Sequence, residues 1–301
     1  MQPKIFDTHT HFNFNAFKND WEKVIEQTLA KDIWFVNVGA EAKTSKRAVD
    51  IALKYPVGVY AAVGLHPIHT YDDIFEDTVR GEKVKFATKA EKFDKKFYAS
   101  LIKSSRKVVA IGETGLDYFH IKKFPARLNK KLKAKQTEVF IDQLKLADEL
   151  NKPIIIHCRP DKDYDAYREI LEILKGSNSR RSSPRALIRG GGDNKIIGIV
   201  HCFQASAQIL EEFLEYGFMV GYNGVITFTS EYDSLVKATP LERLVLETDS
   251  PWLAPAPYRG KRNESTYVGY IARKIAELKK ITNEEVARVT TENAMRVFNI
   301  I

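Results

Sequence analysis

Cysteine is nearly absent: the 301 residues hold two, Cys158 and Cys202. So few thiols exclude a disulfide framework, and the expected compartment is reducing. Long apolar runs are missing as well, none approaching the roughly 18 residues that cross a bilayer. Strand-like sequence begins by Lys4, which leaves no length for a signal peptide, so the chain is expected in the cytoplasm with no membrane partner. Internal repeats are lacking, and low complexity is confined to residues 176–194. Charge of negative sign is in short supply, with 47 Lys and Arg against 39 Asp and Glu, a net charge of +8. That excess suits a polyanionic partner, and a solvated lysine-rich surface accounts for it equally well.

What the chain does hold is a recurring design. KIFDTHTH, VVAIGETGLD, KPIIIHC, IIGIVHC and RLVLETD are each an apolar run ending in a metal-ligating side chain. They place His9 and His11, Glu113, His157, His201 and Asp249 at successive strand ends, which is how a parallel barrel gathers a metal site at one mouth. Strands are predicted near 4–7, 33–38, 57–63, 108–112, 153–157, 196–201, 218–222 and 243–248, with helical or loop material between them. The runs are almost continuously apolar, as strands covered on both faces require. The fold class is therefore α/β, a TIM-type (β/α) barrel of parallel strands with the site at its C-terminal face, and residues 1–301 form one domain. A helix is predicted over Gln136 to Leu150, with Phe140, Leu144 and Ala147 on one stripe. Another starts at Thr282 with Glu285 at capping-box spacing.

Two-residue strand periodicity turns His9 and His11 to one face. It gives Asp7 the same parity one layer deeper, where its carboxylate is expected to accept a ligand imidazole N–H, and it assigns Glu247 a similar supporting place behind Asp249. Glu113 ends a buried run and needs a cation or donors to neutralise it; its two oxygens suit it to bridge two cations. Asp249 is expected to bind metal and take a proton. By the same alternation Cys158 and Cys202 point outward as core filler. Residues 176–194, with four arginines, are expected as an exposed loop on the face opposite the site, while the lysine-rich stretch Lys122 to Lys135 lies on the site's side. His69 and His120 read as surface residues, and the charged stretch Tyr71 to Ser105 carries no assigned element.

The ordered motifs DTHTH, GLHP, GETGLDY, KPIIIHCR, GIVHCF, GVITF and LETDSPWLAP followed by RGKRNE resemble the TatD family of metal-dependent deoxyribonucleases, of the amidohydrolase superfamily, over nearly the whole chain. The resemblance implies a two-metal site and hydrolysis of DNA phosphodiester bonds by a metal-activated water, with single strands or 3′ ends as substrate and no obligate protein partner. It implies that His9, His11, Glu113 and Asp249 hold one divalent ion and Glu113, His157 and His201 the other, with Asp249 and Glu113 catalytic and His66 and Arg159 binding phosphate. Imidazole-rich ligands suit zinc and nuclease chemistry suits magnesium or manganese, so all three stay open. Two positions depart from the family pattern: Ser265 stands where Asn-Glu-Pro is usual, and Gln204 where a serine follows His-Cys-Phe. The same scaffold also serves ester or amide hydrolases, such as a D-aminoacyl-tRNA deacylase, and a binding barrel without turnover.

Overall fold

Val, Ile and Phe dominate the short runs that become strands, because a strand with helices outside and packed side chains inside has no solvent face. The computed structural model describes residues 2–79, 82–176 and 198–300, with backbone alone for 75–79 and 82–86. Eight strands form one sheet in the order β1 (Ile5–Thr10), β2 (Ile33–Val38), β3 (Val59–Val63), β6 (Val108–Asp117), β7 (Ile154–Arg159), β8 (Gly198–Val200), β9 (Phe218–Tyr222) and β10 (Leu244–Leu246). Neighbours in that order are parallel. The sheet curls back on itself beyond β10, where the Asp249 amide donates to the His9 carbonyl (2.9 Å) and the His11 amide to the Ser250 carbonyl (2.8 Å). The expected (β/α) barrel is the observed one.

Inside, Phe6, Val36, Val38, Ala62, Ala110, Ile155, Ile199, Met219 and Val245 make a core with Phe298. The alternate strand residues pack outward against helices: Phe35, Ala61 and Val63 in one cluster, Ile154, Ile156, Val200, Val220, Leu244 and Leu246 in another. Three irregularities break this alternation, one between Asp7 and Thr10, one between Val108 and Ala110 opposite Ala61 and Ala62, and one between Ile111 and Thr114. Each shifts register by a residue and so re-aims the side chains beyond it, as bulges beside sites do. Without the first, His9 would share the outward face of Asp7.

The helix expected from Gln136 begins earlier, as Ala126–Leu150, and its buried stripe includes Phe140, Leu144 and Ala147. Two buried glutamines of this helix act on the mouth. Gln136 exchanges two hydrogen bonds with the Asp117 backbone, and Gln143 does the same with Leu65. The last helix, Asn283–Val297, is capped by Thr282, whose side chain accepts from the Glu285 amide at 3.1 Å. Between β3 and β6 the charged stretch holds an antiparallel hairpin, β4 (Asp73–Val79) with β5 (Glu82–Thr88), and the helix Lys95–Ser104. The hairpin stands apart from the barrel sheet. The arginine-containing low-complexity stretch falls outside the described residues from 177 onward.

Candidate metal centre

β1, β6, β7 and the segments just after β1, β8 and β10 carry His9, His11, Glu113, His157, His201 and Asp249 to one mouth, and Glu113 lies at the centre. Its Oε2 is 3.3 Å from His9 Nε2 and 3.8 Å from His11 Nε2. Its Oε1 is 2.8 Å from His157 Nδ1, 3.5 Å from His66 Nε2 and 3.9 Å from His201 Nε2. Asp249 Oδ1 closes the group, 3.5 Å from His11 Nε2, 3.8 Å from His201 Nε2 and 3.9 Å from His9 Nε2. The two oxygens of one carboxylate thus face two different groups of imidazoles.

This donor set fits divalent cations. His11 Nδ1 donates to the Val38 carbonyl (2.9 Å), so its Nε2 turns a lone pair inward, 3.0 Å from His9 Nε2. Converging lone pairs in a buried pocket are costly unless a cation or proton lies between them. His201 is aimed by Glu247, whose fully buried Oε1 lies 3.0 Å from Nδ1 and also accepts the Cys202 amide at 2.7 Å.

In the metal-free protein, protons take the cations' place. Burial alone would lower His157, but hydrogen bonds to Asp117 and Glu113 push it up to about 9. His201 is likewise opposed by burial and still raised to about 10 by the charges of Glu247 and Asp249. Glu113 is held well below the usual carboxylate range, because His66 and His9 outweigh the upward effect of burial. Asp249 is lowered too: burial acts upward, and His201 and His11 overcome it. Burial first and then repulsion from His201 lower His9.

His66 behaves differently. Its Nδ1 accepts from the Ile68 amide at 3.2 Å, so the hydrogen sits on Nε2 and the ring faces the mouth as a donor. Burial, aided by His157, lowers its pKa to about 4 and keeps it neutral. Arg159 lines the same mouth, with its guanidinium carbon 4.2 Å from the Phe119 ring centroid.

Three sequence expectations are corrected. Asp7 touches no imidazole. Its register partner is the outward-facing Phe35, and its oxygens accept the His9 and Thr248 amides (3.2 and 2.9 Å) and the Thr248 and Ser265 hydroxyls (2.6 and 2.5 Å). The irregularity after Asp7 reversed the parity. Desolvation raises its pKa to about 6 despite these donors. Cys158 packs outward as expected, but Cys202 lies past the end of β8 with φ of 50°. Its thiol accepts from Gln204 Nε2 at 3.0 Å, and it is no member of the outer apolar cluster that holds Cys158, since strand alternation no longer applies there. Finally, His69 and His120 are not ordinary surface residues. His69 Nδ1 lies 3.5 Å from Glu41 with a side chain 13% exposed, and His120 Nδ1 bonds Asp117 Oδ2 at 2.7 Å.

Asp117 is the functional residue that sequence reasoning missed. Fully buried, it accepts from His157 Nε2 at 3.1 Å and from the His120 amide at 3.0 Å. Ligand imidazoles are commonly oriented through such a carboxylate. The available signal was position, for Asp117 lies on β6 four residues beyond Glu113, two steps of strand alternation. The lysine stretch is mixed: Lys122 sits 3.6 Å over Phe119 at the mouth, whereas Lys123, Lys133 and Lys135 pair with Asp73, Glu169 and Glu138.

The site opens into a cavity of about 840 Å³, and no helix among the described residues is long and apolar enough to cross a membrane. Known proteins resemble this chain over nearly its whole length. The chain is 38% identical to the uncharacterized metal-dependent hydrolase YabD of Bacillus subtilis, over 98% of this chain and 99% of that one. It is 28% identical to the uncharacterized metal-dependent hydrolase YcfH of Escherichia coli K12, over 98% and 96%. The crystal structure of YJJV, a TatD homolog from Escherichia coli K12, covers all of both chains with a TM-score of 0.74 at 24% identity, a likeness of fold. The model of the TatD related DNase family matches residues 6–299. A match of that extent, on a chain whose imidazoles and carboxylates converge at one barrel mouth, makes this protein a metal-dependent hydrolase of the TatD family.

Proposed function

We propose that the protein hydrolyses phosphodiester bonds of DNA, removing nucleotides from 3′ ends, with two divalent ions. The carrying observation is the division of labour at Glu113, whose Oε2 faces His9 and His11 while Oε1 faces His157 and His201. On this reading His9, His11, Glu113 and Asp249 hold one ion and Glu113, His157 and His201 the other, both drawn from zinc, magnesium or manganese. Such ions supply Lewis acidity and make water a nucleophile near neutral pH. Asp249, ionised and at the open side, accepts the proton of the attacking water. His66 presents Nε2–H to a phosphate oxygen, and Arg159 adds planar N–H donors where negative charge accumulates. Glu247 and the Val38 carbonyl hold His201 and His11 at fixed orientation, so little reorganisation accompanies the reaction.

The test is to incubate metal-loaded protein with end-labelled single- and double-stranded oligonucleotides, and separately with an aminoacyl-tRNA, comparing wild type with Glu113→Ala. Nucleotide release by wild type alone is expected, abolished by chelation and restored by added divalent ions. Deacylation without nucleotide release would replace this reading with the ester hydrolase one. No turnover with any metal would leave a binding barrel.

A further inference from the structure

Two phenylalanines at the mouth, Phe119 and Phe228, are each 37% exposed, and each lies against a guanidinium. Arg159 Cζ is 4.2 Å from the Phe119 centroid and Arg259 Cζ 3.6 Å from the Phe228 centroid. All four residues line the cavity above the metal centre, and both arginines are exposed. Their places in the barrel matter. Phe119 follows β6 and Arg159 ends β7, whereas Phe228 follows β9 and Arg259 follows β10. The first pair sits at the fourth and fifth strands and the second at the seventh and eighth of a ring of eight, so the two pairs approach the centre from different sides, three strands apart.

A guanidinium with one face resting on a ring is held flat, leaving its outer face and its N–H edges for a ligand. The ligand that matches a flat cationic plate with edge donors is itself flat and aromatic, with an anion attached. A nucleotide is such a ligand: its base stacks on the plate and its phosphate takes the edge. Bases within a duplex are already stacked and paired, so the plates select an unpaired strand.

We propose that the pairs Phe119 with Arg159 and Phe228 with Arg259 are stacking stations that hold the nucleobases on either side of the phosphodiester presented to the metal centre. This rests on the nuclease reading above and adds to it the residues that choose the strand. It also separates Arg159 and Arg259 from simple charge attraction, which needs no plane.

The experiment measures binding of the full chain, under chelator to stop turnover, by fluorescence anisotropy with two single-stranded oligonucleotides. One carries all its bases; the other has abasic residues at its two 3′-terminal positions. Wild type is expected to bind the base-bearing strand about tenfold more tightly. Arg259→Lys, which keeps the charge and loses the plane, and Phe228→Ala, which frees the guanidinium, should each lose most of that advantage while binding the abasic strand within about twofold of wild type. Equal affinity of wild type for both strands overturns the proposal. So does Arg259→Lys weakening both strands by the same factor, the signature of a phosphate contact alone. Metal-loaded wild type that keeps the base preference yet cleaves neither strand would defeat the nuclease reading and leave the stations standing; cleavage without base preference would defeat the stations alone.

Discussion

Replacing Asp117 by Asn should cripple metal binding although Asp117 is not itself a proposed ligand. Its Oδ2 receives both His157 Nε2 (3.1 Å) and His120 Nδ1 (2.7 Å), and its Oδ1 receives the His120 amide (3.0 Å). An amide has one acceptor atom for these two places. If the oxygen stays toward the imidazoles, the new NH₂ meets the His120 N–H, donor against donor. If it turns the other way, the NH₂ faces His157 Nε2, which must become an acceptor, and the ring hydrogen moves to Nδ1, the nitrogen beside Glu113. Either outcome disturbs the ring that must offer Nδ1 to a cation. Losing such an orienting partner lowers metal affinity by roughly 10–100-fold, equivalent to about 1.4–2.7 kcal/mol. Titrating metal-free wild type and Asp117→Asn calorimetrically with Mn²⁺ or Zn²⁺ reads this directly, with far-UV circular dichroism confirming that the variant folds. His120→Gln serves as a comparison, since it leaves the Asp117 to His157 bond in place and should cost less. Folded Asp117→Asn that binds metal within twofold of wild type would show that Asp117 does not orient His157 for metal.

Metal affinity should rise with pH from 6 to 9, because His157 at about 9 and His201 at about 10 carry protons that a cation must displace; proton release, read from the dependence of binding heat on buffer ionisation, checks this, and its absence would contradict it. For the same reason the metal-free protein should lose stability as pH climbs. Both histidines are raised above their unfolded value of about 6.5, so their contribution is complete below that pH and disappears as pH passes through 9 to 10; a melting temperature that is flat across this range would argue against it. Ser265→Ala removes a hydroxyl donor from the buried Asp7 carboxylate and should cost about 1.5–3 kcal/mol in urea unfolding. A double-mutant cycle with Asp7→Asn should show coupling, and strict additivity would sever the pair. Asp249→Asn should fold and lose most turnover, so near wild-type rates would remove Asp249 from the proton-accepting role.

The six converging side chains were readable because each ends an apolar run, and a parallel barrel sends strand ends to one rim. The carboxylate behind His201 was readable for the same reason: Glu247 obeys undisturbed alternation from Val245. Alternation failed at Asp7, where a one-residue shift of register sends the carboxylate outward to Thr248 and Ser265. It failed again at Cys202, beyond the end of β8. Asp117 and His120 stayed hidden because β6 runs five residues past the predicted stop at 112.

Residue order by itself determined the class of fold and the identity of the convergent donors, since both follow from hydrophobic period and from which side chains close each strand. Tertiary structure alone decided which way Asp7 turns, that His66 is a donor, that Asp117 lies against His157, and that two arginines sit over phenylalanines at the mouth. The physical reason is that period predicts a direction only while register is unbroken, whereas tautomers, shared carboxylate oxygens and stacked plates depend on atoms brought together from strands far apart in the chain.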